Sequence, residues 1–235
     1  MAPQPAPQAE PVGQRDGAAS VYVFDAYGTL FDVHSAVARL SSRIGPEADR
    51  LSALWRAKQL EYSWVRSLMR RHADFWRLTG DALDFAMAAV PGVDPALRDL
   101  LLDAYRTLDA YPEVPAVLAE LRRRNARCAI LSNGSPEMLA DAVGSAGLAD
   151  LLDGVLSVEE PGIFKPDPSV YQLVLDRFGV GAGEVSFQSS NAWDIAGAAA
   201  FGFAAVWINR TAQPREYPDI GPVREVRDLT ALLED

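Results

Sequence analysis

The chain has 235 residues, of which 32 are acidic and 22 are basic, and its formal net charge is −10. A chain this acidic is expected to repel nucleic acid and anionic membranes, so we predict neither as a partner. The one cysteine, Cys128, cannot form a disulfide framework or a cysteine metal site within a single chain. The sequence shows no apolar segment long enough to span a bilayer and no secretory signal pattern, so we predict a cytoplasmic protein.

Residues 1–20 are rich in Pro, Ala, Gln and Gly and show no apolar periodicity, so we predict a disordered tail. The stretch 21–33, VYVFDAYGTLFDV, begins with four β-prone apolar residues, which is typical of a strand buried on both faces. Asp25 follows this strand, Gly28 permits a tight turn, and Thr29 supplies a hydroxyl near the carboxylate. Taken alone, Asp25 fits a turn residue or a helix cap as well as it fits a reactive group at the end of a strand.

Residues 34–111 have a helical character. Apolar residues between 51 and 69 recur at steps of three and four, which predicts a long amphipathic helix. Further helices are predicted from about 74 to 90 and from Pro95 to about 110. Because no strand pattern interrupts these segments, we predict that residues 34–111 form a helical cap subdomain.

From Pro115 onward, helix and strand patterns alternate. This alternation is typical of βαβ units, which form a parallel sheet covered by helices on both faces. The predicted strands are Cys128–Leu131, Gly154–Leu156, Val185–Gln188 and Phe203–Ile208, separated by helices, and a final short helix follows Asp228. We therefore predict an α/β fold, a doubly wound parallel sheet formed by residues 21–33 and 112–235, with the helical cap inserted after its first strand.

Polar side chains lie at or just beyond the carboxyl ends of predicted strands, in four separate connections: Asp25, Ser132-Asn133, Lys165 and Ser189–Asn191. The carboxyl ends of parallel strands share one edge of the sheet, which is where α/β proteins place ligand sites. Each residue has a simpler explanation by itself, such as a turn residue or, for Lys165, a solvated surface charge. Their convergence favours an active site.

The segments FDAYGTLFDV, LSNG, FKPDPSVY and SSNAWD, together with LWRAKQLEYSWVRSLM in the cap, resemble the L-2-haloacid dehalogenases of the haloacid dehalogenase superfamily. The resemblance covers nearly all of residues 21–210. It implies a Rossmann-like core with a cap, and hydrolysis of short-chain L-2-haloacids and haloacetates to D-2-hydroxy acids and glycolate.

Two positions separate this subgroup from the phosphatases of the superfamily. Tyr27 stands where phosphatases carry a second aspartate that protonates the leaving alcohol, and a halide leaving group needs no proton. Ser189 and Ser190 stand where phosphatases carry an acidic pair for magnesium, and a hard cation prefers several carboxylate oxygens. The resemblance thus implies a reaction without metal or other cofactor. The alternatives are a magnesium-dependent phosphatase or phosphonate hydrolase, and a non-catalytic protein that binds a partner through its cap.

The resemblance also assigns roles to individual residues. Asp25 is the expected nucleophile, which attacks C2 of the substrate and forms a covalent ester. The expected catalytic set is Asp25, Thr29, Arg56, Lys165, Ser189, Asn191 and Asp194. The expected substrate-binding set is Tyr27, Leu30, Ser132, Asn133 and Tyr171, the expected halide-binding set is Arg56, Phe75 and Asn133, and Trp193 is expected in the apolar wall of the pocket. A homodimer is implied as well.

Overall fold

The computed structural model describes residues 19–234, so nearly all of the predicted tail lies outside the described residues. Within this range the core is a parallel sheet of six strands. They are β1 (Val21–Phe24), β2 (Arg127–Ser132), β3 (Gly154–Ser157), β4 (Val185–Ser189), β5 (Ala204–Ile208) and β6 (Val223–Val226). Their order across the sheet is β3-β2-β1-β4-β5-β6, and every neighbouring pair is parallel. The predicted doubly wound α/β fold is confirmed.

Helices surround the sheet, and five α-helices fall within residues 34–111, the range predicted to form the cap. The cap-side helices are α1 (Ser35–Arg39), α2 (Ser41–Ile44), α3 (Ala48–Met69), α4 (Phe75–Ala89) and α5 (Arg98–Arg106). The core helices are α6 (Val114–Arg123), α7 (Pro136–Ser145), α8 (Pro168–Phe178) and α9 (Ala192–Phe201). Short 3₁₀ turns occupy Pro95–Leu97, Ala149–Leu151, Ala182–Glu184 and Leu229–Leu233. None of the helices within residues 19–234 combines the length and apolar character needed to cross a bilayer.

The two crossings between the core and the cap-side helices lie next to each other. Phe31 forms an antiparallel bridge with Ala110, and the Asp32 amide donates to the Asp109 carbonyl at 2.8 Å. Helices α1 to α5 lie between these crossings, and the division of the chain into a core and a cap over residues 34–111 stays a prediction. Side-by-side crossings form a compact junction, because the chain leaves and re-enters the core at one place.

Helix boundaries in the core follow the capping signals of the sequence. Ser135 caps α7 and Asp167 caps α8, and in both helices proline occupies the first position. Gly179 ends α8 in the left-handed conformation, with φ of 63°. These caps fix where the loops before α7 and α8 end, and those loops carry Asn133 and Lys165.

At the margins the structure differs from the predictions in three places. The helix predicted from Pro95 to about 110 is a 3₁₀ turn followed by α5, which ends at Arg106. The short helix after Asp228 is a 3₁₀ turn, although the Asp228 side chain caps it as predicted. Strand β6 was not predicted because its sequence, VREV, has no buried apolar run, as expected for a half-exposed strand at the sheet edge.

β1 lies in the middle of the sheet, between β2 and β4, and this position places Asp25 at the centre of the carboxyl edge. The Asp25 amide donates to the Gln188 carbonyl at 2.9 Å, which extends the pairing of β1 with β4. Gly28 has φ of +92°, and a Cβ built there would lie 2.9 Å from the Ser190 hydroxyl. Glycine is therefore required for the loop after β1 to turn against the loop after β4.

Candidate active site

Asp25 is nearly buried, and its two carboxylate oxygens have unequal surroundings. Oδ1 accepts a hydrogen bond from Lys165 Nζ at 3.2 Å. Oδ2 accepts from Asn191 Nδ2 at 2.8 Å, from the Thr29 hydroxyl at 3.3 Å and from the Ser189 hydroxyl at 3.4 Å. The carboxylate is thus held in one orientation by donors from three separate loops.

Lys165 is 1% exposed, so the alternative of a solvated surface charge is wrong. Its ammonium lies between two carboxylates, 3.2 Å from Asp25 Oδ1 and 2.8 Å from Asp194 Oδ2. The Lys165 amide donates to Asn133 Oδ1 at 3.0 Å, which ties the lysine loop to the loop after β2. A buried charge needs such pairing, because an unpaired charge in the interior is costly.

Asp194 is fully buried at the start of α9. Burial raises the pKa of Asp194 from its usual value to about 6, while Lys165 and the Tyr171 hydroxyl act in the opposite direction. The Tyr171 hydroxyl donates to Asp194 Oδ1 at 2.8 Å, and burial followed by the charge of Asp194 raises the pKa of this phenol well above its ordinary value. Tyr171 therefore remains a neutral donor beneath the carboxylate.

Aromatic side chains cover one side of the cluster. The Tyr27 ring stacks on Tyr105, with centroids 5.7 Å apart, and its centroid lies 6.3 Å from that of Phe75, the first residue of α4. A Cβ at Gly134 would lie 2.8 Å from the Tyr27 ring, so the glycine lets the ring approach the loop after β2. Burial raises the pKa of both phenols above its usual value, so Tyr27 and Tyr105 stay neutral.

Arg56 reaches this region from the cap helix α3. Its Nη2 lies 3.4 Å from the Tyr27 carbonyl and 3.4 Å from Asn191 Oδ1, and its Nη1 donates to Gln59 Oε1 at 2.8 Å. All three acceptors are uncharged, and no carboxylate of residues 19–234 forms an ion pair with Arg56. The guanidinium charge is therefore available to an incoming anion.

The remaining predicted residues are distributed around this centre. Ser132 is buried, and its hydroxyl accepts from the Gly134 amide at 3.1 Å. Leu30 is fully buried in the core. Trp193 packs edge-on against Trp64 of α3, with centroids 5.4 Å apart, where the cap meets α9. The structure thus brings Asp25, Lys165, Asn191 and Arg56 together, whereas Leu30 lies within the core.

Three residues of the surroundings were not predicted: Gln59, Thr79 and Tyr105. Each is buried, and together they form a hydrogen-bonded group beside Arg56. The spacing of Arg56 and Gln59, three positions apart on one helix, is a signal that could have found Gln59. No comparable signal marks Thr79 or Tyr105, because they come from other helices.

The carboxylates of the site are engaged with lysine rather than with one another. Within residues 19–234, no group of three or more His, Cys, Asp or Glu side chains is arranged to hold a metal ion. Asp25 and Asp194 share the Lys165 ammonium instead. The arrangement suits nucleophilic attack by a fixed carboxylate near a fixed cation.

Comparisons with known proteins agree with this geometry. A family model described as haloacid dehalogenase-like hydrolase matches residues 19–202. The chain is 53% identical over 215 residues to (S)-2-haloacid dehalogenase 1 of Pseudomonas sp. (strain CBS-3), and the match covers 90% of this chain and 95% of that protein.

Solved structures give the same result. A crystal structure of a dehalogenase superposes with a TM-score of 0.90 at 46% identity, over 94% of this chain and 97% of the other. The L-2-haloacid dehalogenase from Xanthobacter autotrophicus with chloropropionic acid covalently bound gives a TM-score of 0.82 at 37% identity, over 92% and 97%.

The fold and the site define a hydrolase whose parallel sheet, packed between helices, places a carboxylate at the centre of its carboxyl edge. The chain belongs to the haloacid dehalogenase-like hydrolase family.

Proposed function

We propose that this protein hydrolyses short-chain L-2-haloacids and haloacetates, releasing halide and forming D-2-hydroxy acids and glycolate. The observation that carries the proposal is the unequal bonding of Asp25, with three donors on Oδ2 and Lys165 alone on Oδ1, beside a guanidinium that has no carboxylate partner among the described residues. The names of its relatives, (S)-2-haloacid dehalogenase among them, support the same substrate class.

In the first step, Asp25 Oδ1 attacks C2 of the haloacid. A carbon–oxygen bond forms as the carbon–halogen bond breaks, and the halide leaves with the bonding electron pair. Oδ1 suits this role because Oδ2 already accepts three hydrogen bonds. Arg56, with Asn133 and Phe75, receives the halide, since a fixed cation stabilises an anion most where water is excluded. Ser132 binds the substrate carboxylate, and Tyr27 and Trp193 enclose its alkyl part.

In the second step, water attacks the carbonyl carbon of the Asp25 ester. After ester formation at Oδ1, the carbonyl oxygen is Oδ2, which lies among the Thr29, Ser189 and Asn191 donors. These donors stabilise the negative charge that develops on Oδ2, as an oxyanion hole does. Collapse of this intermediate breaks the bond between the ester carbonyl carbon and Oδ1, returns the Asp25 side chain as a carboxylate and releases the hydroxy acid. One of the two protons of water ends on the leaving oxygen, and the other passes to solvent. Because only the first step breaks a bond at C2, its configuration is inverted.

Lys165 and Asp194 keep the Asp25 carboxylate in position for attack. The ammonium keeps the attacking oxygen aimed, and Asp194 balances the buried lysine from its other side at 2.8 Å. Tyr171 fixes Asp194 in turn through the bond to Oδ1. Both Asp194 oxygens are thus occupied, which favours a positioning and charge-balancing part in the activation of water over direct proton removal.

The test is halide release from racemic 2-chloropropionate and from monochloroacetate, in excess chelator, with the chirality of the lactate determined. We expect release that is unaffected by chelator, with D-lactate as the only lactate formed. In a single turnover in heavy-oxygen water, the label is expected in Asp25 and not in the product. Absence of halide release, together with magnesium-dependent hydrolysis of a phosphate ester, would instead assign the protein to the phosphatases.

We also propose a cytoplasmic homodimer. Val65, Leu68 and Met69 near the end of α3 are exposed apolar side chains, and Leu68 is 86% exposed, which is consistent with an interface on the cap. Light scattering on the purified protein tests the dimer, and a monomer at micromolar concentration would contradict it.

A further inference from the structure

Gln59 lies on the same face of α3 as Arg56, three residues further along, and its side chain is 1% exposed. A buried primary amide carries two donors and an acceptor that all need partners. Here each has at least one: Oε1 accepts from Arg56 Nη1 at 2.8 Å and from the Tyr105 hydroxyl at 3.3 Å, and Nε2 donates to the Thr79 hydroxyl at 2.8 Å and to the Tyr105 hydroxyl at 3.1 Å.

The partners fix which way the Gln59 amide points. Arg56 can only donate, so the amide oxygen must face it. The Thr79 hydroxyl gives its proton to the Phe75 carbonyl at 2.8 Å, so it can only accept from the amide nitrogen. Thr79 and Phe75 both belong to α4, and the chain of bonds therefore connects the guanidinium to the first turn of the neighbouring cap helix.

Arg56 is held much more tightly on the cap side than on the core side. Its bond to Gln59 measures 2.8 Å, whereas its contacts with the Tyr27 carbonyl and Asn191 Oδ1 both measure 3.4 Å. A long, flexible arginine loses rotational freedom when it is fixed, and a preorganised partner supplies that restriction before the substrate arrives.

We propose that Gln59 is a positioning residue for halide departure: its amide oxygen aims the Arg56 guanidinium at the leaving group while leaving the guanidinium charge unneutralised. This inference rests on the proposed function and deepens it. A neutral acceptor is essential to the role, because a carboxylate at this place would pair with Arg56 and cancel the charge that the departing halide requires.

Two variants each remove one of the two properties that the proposal needs: the fixed direction of the Arg56 guanidinium and its unneutralised charge. Gln59→Met is unbranched and fills similar space but offers no strong acceptor, so Arg56 loses its fixed direction. Gln59→Glu keeps an acceptor oxygen for Arg56 but adds a negative charge. The matched control is Ser63→Ala, one turn further along α3. It alters a buried polar side chain whose hydroxyl donates to the Leu60 carbonyl of its own helix.

The experiment measures kcat and KM for 2-bromopropionate and 2-chloropropionate, with inhibition by added bromide, in the folded full-length protein. For both Gln59 variants we expect kcat to fall by about tenfold to a hundredfold with KM little changed, since the interaction forms as the bond breaks. We expect weaker inhibition by bromide. We also expect a higher ratio of bromo to chloro rates, because chloride is the poorer leaving group and depends more on the cation.

The outcomes distinguish this inference from the proposed function. If the unaltered protein releases no halide, the proposed function is wrong and the role of Gln59 falls with it. A different result would limit Gln59 to a structural role while the proposed function stands. In that case the unaltered protein releases halide, and the Gln59 variants lose activity only in proportion to their unfolded fraction. Their ratio of bromo to chloro rates and their inhibition by bromide would then equal those of Ser63→Ala. Should Gln59→Met fail to fold, Gln59→Glu decides the matter by the same two readouts.

Discussion

Asp25 and Arg56 approach the reaction centre from opposite sides, and the Asn191 amide lies between them, its nitrogen bonded to Asp25 and its oxygen to Arg56. On the core side, Asp25 belongs to a buried group of alternating charges with Lys165 and Asp194. On the cap side, Arg56 is half-buried, its acceptors among residues 19–234 are all uncharged, and it meets the core through contacts of 3.4 Å.

The difference separates two tasks. The core group is anchored to strand ends and loops of one sheet, so its geometry is fixed by the fold itself. The cap cation meets the core only through long contacts, so its position depends on how the cap packs on the core. We therefore expect substitutions in the core group to affect both stability and chemistry, and substitution of Arg56 to affect chemistry with little change in stability.

The largest expected effect is that of Asp25→Ala. Loss of the nucleophile should reduce halide release by at least about 10⁴-fold, as removal of a covalent nucleophile does in other hydrolases. The fold should survive because Lys165 keeps its ion pair with Asp194. Halide release and circular dichroism check both parts. Residual turnover near the normal rate in a folded variant would refute Asp25 as the nucleophile.

Lys165→Met tests whether the core group is structural as well as catalytic. It leaves two buried carboxylates without their shared cation, and breaking a buried pair in this way costs about 3–5 kcal/mol in the free energy of unfolding. The loss should be smaller at pH 5 than at pH 8, because protonation of Asp194 relieves the uncompensated charge. Urea unfolding at the two pH values measures it.

The matched control for Lys165→Met is Lys58→Met, which breaks a surface pair with Glu61. Such a pair is worth at most about 1 kcal/mol, so this change should be small at both pH values. Equal losses for the two lysine variants would mean that the core group adds no stability of its own.

The sequence predicted the core side better than the cap side, for a physical reason. A strand end followed by a polar residue is a local signal, and parallel strands bring such signals to one edge, so Asp25, Lys165 and Asn191 could be found. Cap packing has no such rule. The partners of Gln59 come from other helices, and no local pattern connects them. Close packing within the core is equally hidden, since nothing in the sequence shows that Gly197 of α9 must lack a side chain, yet a Cβ there would collide with the Tyr171 hydroxyl and Pro166.

Arg56→Leu tests whether the cap cation contributes to catalysis without contributing to stability. We expect kcat to fall by about 10²- to 10³-fold, the usual cost of removing one fixed donor to a developing anion. The free energy of unfolding should change little, since Arg56 is half-buried and its contacts with the core are long. Arg50→Leu, on an exposed part of α3, is the control. A loss of stability as large as that of Lys165→Met would erase the distinction between the two sides.

Tyr171→Phe has the smallest expected effect and tests the coupling within the core group most finely. The hydrogen bond from Tyr171 lowers the pKa of Asp194, which burial raises to about 6, so its removal should raise that pKa further. Asp194 would then take up a proton at a higher pH, and its ion pair with Lys165 would weaken earlier as the solution is acidified. The acid limb of the kcat profile, expected near pH 6 in the unaltered protein, should move to higher pH. The exposed Tyr217 serves as the control, through Tyr217→Phe. A limb that stays in place, or moves to lower pH, would show that Asp194 does not govern the acid side of the reaction.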